Sequence, residues 1–147
     1  MPGSWKHASP MQVYLKKKQI MQETHTFEYA IIRVVPRVER EEFLNVGVIL
    51  YCQKHKFLDV LILLDENKLK ALCEGVDVNE LKQHLRAIDE ICKGAADGGP
   101  IAKLDMASRF RWLTATRSTI VQASKVHPGI CNDPQEKIKK LFEQYVG

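Results

Sequence analysis

The residues with most capacity for chemistry lie in one stretch without acids. Between Asp105 and Asp133 the chain carries Arg109, Arg111, Arg117 and Lys125 and no Asp or Glu. Within it, Arg111, Arg117, Ser118, Thr119, Gln122, Ser124 and His127 bring many hydrogen-bond donors close together in sequence. Guanidinium forks match the paired oxygens of phosphate or carboxylate, and hydroxyls just past a helix end add further donors. Such an inventory suits holding an anion in place. The structural alternative pairs Arg111 and Arg117 with the acids of 65–90 and uses Ser118 and Thr119 to close a turn.

A second candidate lies earlier. On alternating parity Arg33 shares a face with Phe27, Tyr29, Ile31 and Val35, which sets its guanidinium on or beside an apolar surface. A lone charge there is costly, so a carboxylate or a ligand anion is expected to meet it, with Glu41 and Glu42 past the Pro36 turn within reach. Asn45 and Gly47 fall on one parity of the following apolar run. A glycine inside a strand marks a bulge or a close approach, and close packing against a helix is the expectation here.

Catalysis asks for more than donors. A hydrolase needs a base beside a nucleophile, and Ser118 or Ser124 with His127 supplies those types on paper. No Gly-x-Ser-x-Gly elbow, Walker loop or His-Glu-x-x-His pattern accompanies them. Glu41 or Glu42 with His127 has no metal-ligand spacing. Cys52-x-x-His55 and His127-x-x-x-Cys131 offer four zinc-type ligands, but Cys52 reads as strand and His55 as a turn tip, so the four are not expected to converge. No cofactor or metal is expected.

These residues need a scaffold, and the composition describes one. The 147 residues hold 22 Lys plus Arg against 18 Asp plus Glu, with 45% hydrophobic and 27% charged residues, which is ordinary for a globular domain and excludes collagen-like or coiled-coil chains. No stretch approaches the ~20 apolar residues of a membrane span, so no membrane partner is expected. Four cysteines without a C-x-x-C pair, and no apolar leader after Met1, predict reduced thiols in the cytoplasm. A sequence pI near 8.9 is mild evidence for an anionic partner. Trp112 and Phe110 interleave with the basic stretch, but Phe110 reads as core and the net charge of +4 argues against dedicated nucleic-acid recognition.

Along the chain, residues 1–26 carry four lysines and one acid without apolar periodicity and read as a basic N-terminal arm, with a single domain over 27–147. Phe27–Val35, Phe43–Cys52 and Phe57–Leu64 read as three strands of an antiparallel meander, at least one covered on both faces. Asp65, Asp77, Asp105 and Asp133 are placed to cap four helices, and Ala95–Pro100 reads as loop. Thr119–Ala123 reads as a fourth strand, and His127 before Pro128-Gly129 as a turn or packing residue. The expected order is βββαααβα: an α+β domain, mainly antiparallel with three to four strands, its helices packed on one face.

Two stretches also resemble a known family. One is Tyr29-Ala30-Ile31-Ile32-Arg33-Val34-Val35-Pro36, continuing through Arg40-Glu41-Glu42-Phe43-Leu44-Asn45-Val46-Gly47-Val48. The other runs from Arg111-Trp112-Leu113-Thr114 through Ser124, then His127-Pro128-Gly129 and Leu141-Phe142-Glu143. Together they resemble the bacterial family called domain of unknown function 3037, from about Phe27 to Val146. That family often has glycine at the position of Glu41 and has no established activity or cofactor. Its members are often encoded beside a kinase-fold relative of the HipA toxins, which implies such a protein as partner.

The expectation is therefore a non-enzymatic binding or accessory domain that recognises an anionic small molecule or a protein partner. Arg33, Arg111, Arg117, Ser118, Thr119 and His127 are the ligand-binding candidates, with Glu42, Asn45, Gly47, Trp112 and Gln122 shaping the site. A small phosphoryl- or ester-directed hydrolase built on the same polar cluster is the alternative.

Overall fold

The computed structural model describes residues 9–15, 24–115 and 119–147. Most of the basic N-terminal arm, together with Arg117 and Ser118, lies outside the described residues.

Strand β1 (His25–Val34) begins two residues before Phe27 and forms the centre of a five-stranded sheet. It pairs antiparallel with β2 (Leu44–Cys52), which pairs antiparallel with β3 (Phe57–Ile62). The Gln53–Lys56 turn closes the second hairpin, with the Lys56 amide donating to the Gln53 carbonyl at 3.0 Å. On its other edge β1 is shared by two short strands, β4 (Val121–Ala123) along Ile32–Val34 and β5 (His127–Cys131) along His25–Tyr29. The meander and the α+β class are as expected. The fifth strand is not: the His127-Pro128-Gly129 segment pairs with β1 instead of turning. Pro128 fits because the outer edge of β5 asks no amide of it.

Each expected cap is in place. Asp65 accepts from the Asn67 and Lys68 amides and starts α1 (Glu66–Leu72). Asp77 accepts from Glu80 N at 3.1 Å and starts α2 (Val78–Lys93), which ends at Gly94 in the left-handed region at φ 68°. Inside the segment read as loop, Ala96–Gly98 forms a 3-10 turn and Gly99–Ala102 a single helical turn, α3. Asp105 starts α4 (Met106–Thr114), and Asp133 with Pro134 starts α5 (Pro134–Tyr145).

Both faces of the sheet are covered. Ala30, Ile32 and Val34 pack with Val46, Ile49 and Val60 against Leu69, Leu81, Leu85, Ile91, Phe110 and Leu113 of α1, α2 and α4. On the opposite face Phe27 and Ile31 pack with Val48, Leu50 and Cys52 against Ile138 and Leu141 of α5. The helices thus do not all share one face. The opposite parity of β1 and β2 is equally apolar, and an amphipathic C-terminal helix covers it, each buried Ile or Leu contributing about 1.5–3 kcal/mol.

The β1–β2 register shifts between Ile32, which pairs with Gly47, and Arg33, which pairs with Asn45. Val46 is the extra residue of a bulge, so Asn45 and Gly47 face opposite sides despite their shared parity in sequence. Gly47 answers to a strand and not to a helix: a Cβ there would lie 2.7 Å from the Leu61 carbonyl oxygen on β3.

Candidate functional site

The sheet divides the expected site residues. Arg33 belongs to the parity of Phe27 and Ile31 and faces α5, as does His127, which pairs with Tyr29. Arg111 projects from α4 on the other face. The structure therefore does not bring Arg33, His127 and Arg111 into one cluster.

On the α5 face Arg33 meets no carboxylate among the described residues. Its guanidinium carbon lies 4.3 Å from the centroid of the Phe43 ring, and its Nε is buried without a hydrogen-bond partner among the described residues. Glu42 turns instead to Arg40, Nε to Oε1 at 3.3 Å, both exposed. Glu41 adopts φ 56°, the left-handed region that glycine enters without a Cβ penalty. Beside Arg33, Asn45 donates from Nδ2 to the Tyr145 carbonyl at 3.2 Å, tying the end of α5 to β2. The His127 ring stands 5.4 Å from that of Tyr29, and the Tyr145 phenol, then burial, pushes the Tyr29 hydroxyl above its ordinary value.

At the β4 end, Thr119 and Gln122 serve the turn. The Thr119 hydroxyl donates to the Val121 carbonyl at 2.5 Å, and the Gln122 amide donates to the Thr119 carbonyl at 2.8 Å. Trp112 borders an apolar cavity of about 220 Å³ between α2, α4 and β4, with His84 at its rim. Ser124 is buried, and its hydroxyl accepts from the Ile31 amide at 2.8 Å and donates to the Lys125 carbonyl at 3.0 Å. That oxygen is committed to the sheet and is not a free nucleophile. His127 and Cys131 sit four residues apart along β5, roughly 13 Å by strand rise, too far to share a metal ion. Among the described residues no group of three or more His, Cys, Asp and Glu is placed to hold one.

Arg111 has the most developed surroundings. With Ala107 one turn earlier it walls a cavity of about 520 Å³ whose other lining includes Thr26, Glu28, Tyr51 and Gln53. A cross-strand row, Tyr51–Glu28–Pro128, runs beneath it over β2, β1 and β5. The Tyr51 ring stacks on Phe110 at 5.5 Å, and Phe110 and Leu113 are buried in the core, which fixes α4 above the sheet. Arg111 follows Phe110 in α4 and Glu28 neighbours Tyr51 in the sheet, so this stacked pair sets the span between the two charges. The position of Arg111 in the last turn of α4 is favourable for a cation.

Among the described residues neither Arg111 nor Glu28 is in an ion pair. The acids of 65–90 that pair do so with Lys82, His84 and Lys93 within the α1–α2 layer, so none of them reaches Arg111. Glu28 and its neighbours were not among the sequence candidates. The signal available was an acid at the second position of the first apolar run, on the parity of Ala30, Ile32 and Val34.

No described helix is long and apolar enough to cross a membrane. Comparison with curated proteins and with solved structures found no match. A family model described as protein of unknown function (DUF3037) matches residues 29–146, nearly the whole of the sheet and its helices, and the chain belongs to that family.

Proposed function

We propose that this chain is a binding or accessory domain whose ligand presents an anionic group to Arg111. The observation that carries this reading is Arg111, exposed and lining a cavity of about 520 Å³ that opens to solvent, in no ion pair among the described residues. The volume falls within the range of small-molecule sites, roughly 300–1,000 Å³. A guanidinium fork there supplies two parallel N–H donors to a carboxylate or phosphate. The site is proposed to act in the cytoplasm, and the kinase-fold relative that the family resemblance implies is the protein partner to test by co-purification.

The test is calorimetric titration of the full chain with inorganic phosphate, acetylglycine and glycylglycine, repeated on Arg111→Gln. Saturable binding of any of the three that Arg111→Gln removes, with its melting temperature unchanged, supports the reading. Absence of binding to the wild type, or binding that survives the substitution, overturns it.

A further inference from the structure

We infer that the Arg111 cavity takes a zwitterion, a small molecule with an ammonium group and a carboxylate or phosphate held apart, such as an amino acid derivative or a dipeptide. This rests on the proposal that Arg111 receives an anion, and adds what the opposite wall requires. Glu28 is half-buried on the central strand, flanked by Tyr51 and Pro128, and lines the same cavity. A partly desolvated carboxylate is costly without a cation or hydrogen bonds. Yet neither charge reaches the other within ion-pair distance, because Glu28 is fixed to the sheet and Arg111 to α4.

A cavity lined by one charge of each sign, neither in an ion pair among the described residues, is complementary to a ligand with both. The ligand's ammonium donates to the Glu28 carboxylate while its anionic end accepts from the Arg111 fork. Gln53, also on the wall, offers an amide to a peptide group between them. The same arrangement discriminates against polyanions. A phosphodiester chain laid on Arg111 would bring further phosphates towards Glu28, a like-charge contact that selects against it.

The same titration with glycinamide added decides this on the wild-type chain. Glycylglycine carries both charges, acetylglycine only the anion and glycinamide only the cation. Glycylglycine is expected to bind roughly tenfold or more tightly than either, as each lost charge-assisted contact predicts. Glu28→Gln should bring glycylglycine down to the affinity of acetylglycine and leave acetylglycine unchanged or improved. If acetylglycine binds as well as glycylglycine and Arg111→Gln removes both, the zwitterion inference fails while the anion reading stands. If none of these three ligands binds, the zwitterion inference fails, and the anion reading fails with it only if inorganic phosphate does not bind either. Because the comparison is among ligands on one unaltered protein, it holds even if Glu28→Gln proves unstable.

Discussion

The Ser124 hydroxyl accepts a hydrogen bond from the Ile31 amide at 2.8 Å, and the Ser124 amide donates to the Ile31 carbonyl at the same distance. One residue of β1 is thus satisfied by the side chain and the main chain of one serine. The site is where β1 changes neighbours, from β4 on one stretch to β5 on the next. A chain leaving a sheet normally leaves the next amide unpaired, and a buried amide without a partner is costly. Here the serine side chain bridges the gap.

Ser124→Ala should therefore destabilise the domain by about 1–3 kcal/mol, the cost of leaving a buried donor unmade. Urea unfolding of wild type and variant measures this, and exchange of the Ile31 amide with solvent should speed up. A loss below about 0.5 kcal/mol, the scale of an ordinary surface substitution, would show that the hydroxyl is not needed.

Gly47 tests the close approach of β2 to β3. A methyl group there meets main chain, the Leu61 carbonyl oxygen at 2.7 Å, and cannot displace it as it could a flexible side-chain end. Gly47→Ala is expected to cost about 1–3 kcal/mol by overpacking, in spite of the entropy that alanine saves in the unfolded chain. Gly75→Ala, with nothing within 4 Å of the new carbon, is the control and should be neutral or slightly stabilising. Equal effects at the two positions would refute the close approach.

What could be read in the sequence is what is local. Asp65, Asp77, Asp105 and Asp133 each accept from an amide two or three residues on, so a short window contains the whole interaction. The three first strands were legible from their apolar runs for the same reason. The strand at His127–Cys131 was not, because proline and glycine argue for a turn within the window; what overrides them is β1, a hundred residues earlier, whose Phe27 ring packs on Gly129. Likewise the face covered by α5 depends on which parity of a distant sheet is left open. Arg33 was rightly set on an apolar face, but its neighbour is chosen by the bulge and turn geometry, which carry Glu42 to Arg40 and Phe43 to Arg33. The cavity needed Arg111 and Glu28 together, and the stacking of Tyr51 on Phe110, far apart in sequence, relates them.

The cysteines should separate by reactivity. Burial first, then the Asp59 and Asp89 carboxylates, push the Cys92 thiol up to about 12 from 9.0. Since the thiolate is the reactive species, Cys92 should resist alkylation of the folded protein near neutral pH, whereas half-buried Cys73 should be modified first. A thiol whose pKa is raised on folding contributes stability below its unfolded value and loses it as pH climbs from about 9 towards 12. Cys92→Ala, though less stable at neutral pH, should lose less stability over that alkaline range. Peptide mapping that finds Cys92 labelled as fast as Cys73 would contradict the assignment.

Arg33 is held by an aromatic ring and not by an acid, and a pair of mutant cycles distinguishes the two. A cation within about 6 Å of a ring centroid gains roughly 0.5–1 kcal/mol at exposed sites and more when desolvated. Arg33 lies at 4.3 Å from Phe43, with its Nε buried. The cycle Arg33→Met with Phe43→Leu should thus show a coupling of about 0.5–1 kcal/mol. Glu42, which is exposed and directed to Arg40, should couple to Arg33 by no more than the few tenths found between independent sites. Methionine keeps most of the packing of the arginine stem, so Arg33→Met alone should cost little, and it removes the buried Nε that has no partner among the described residues. Coupling of Arg33 to Glu42 but not to Phe43 would restore the ion pair that the sequence suggests and overturn the cation–ring contact.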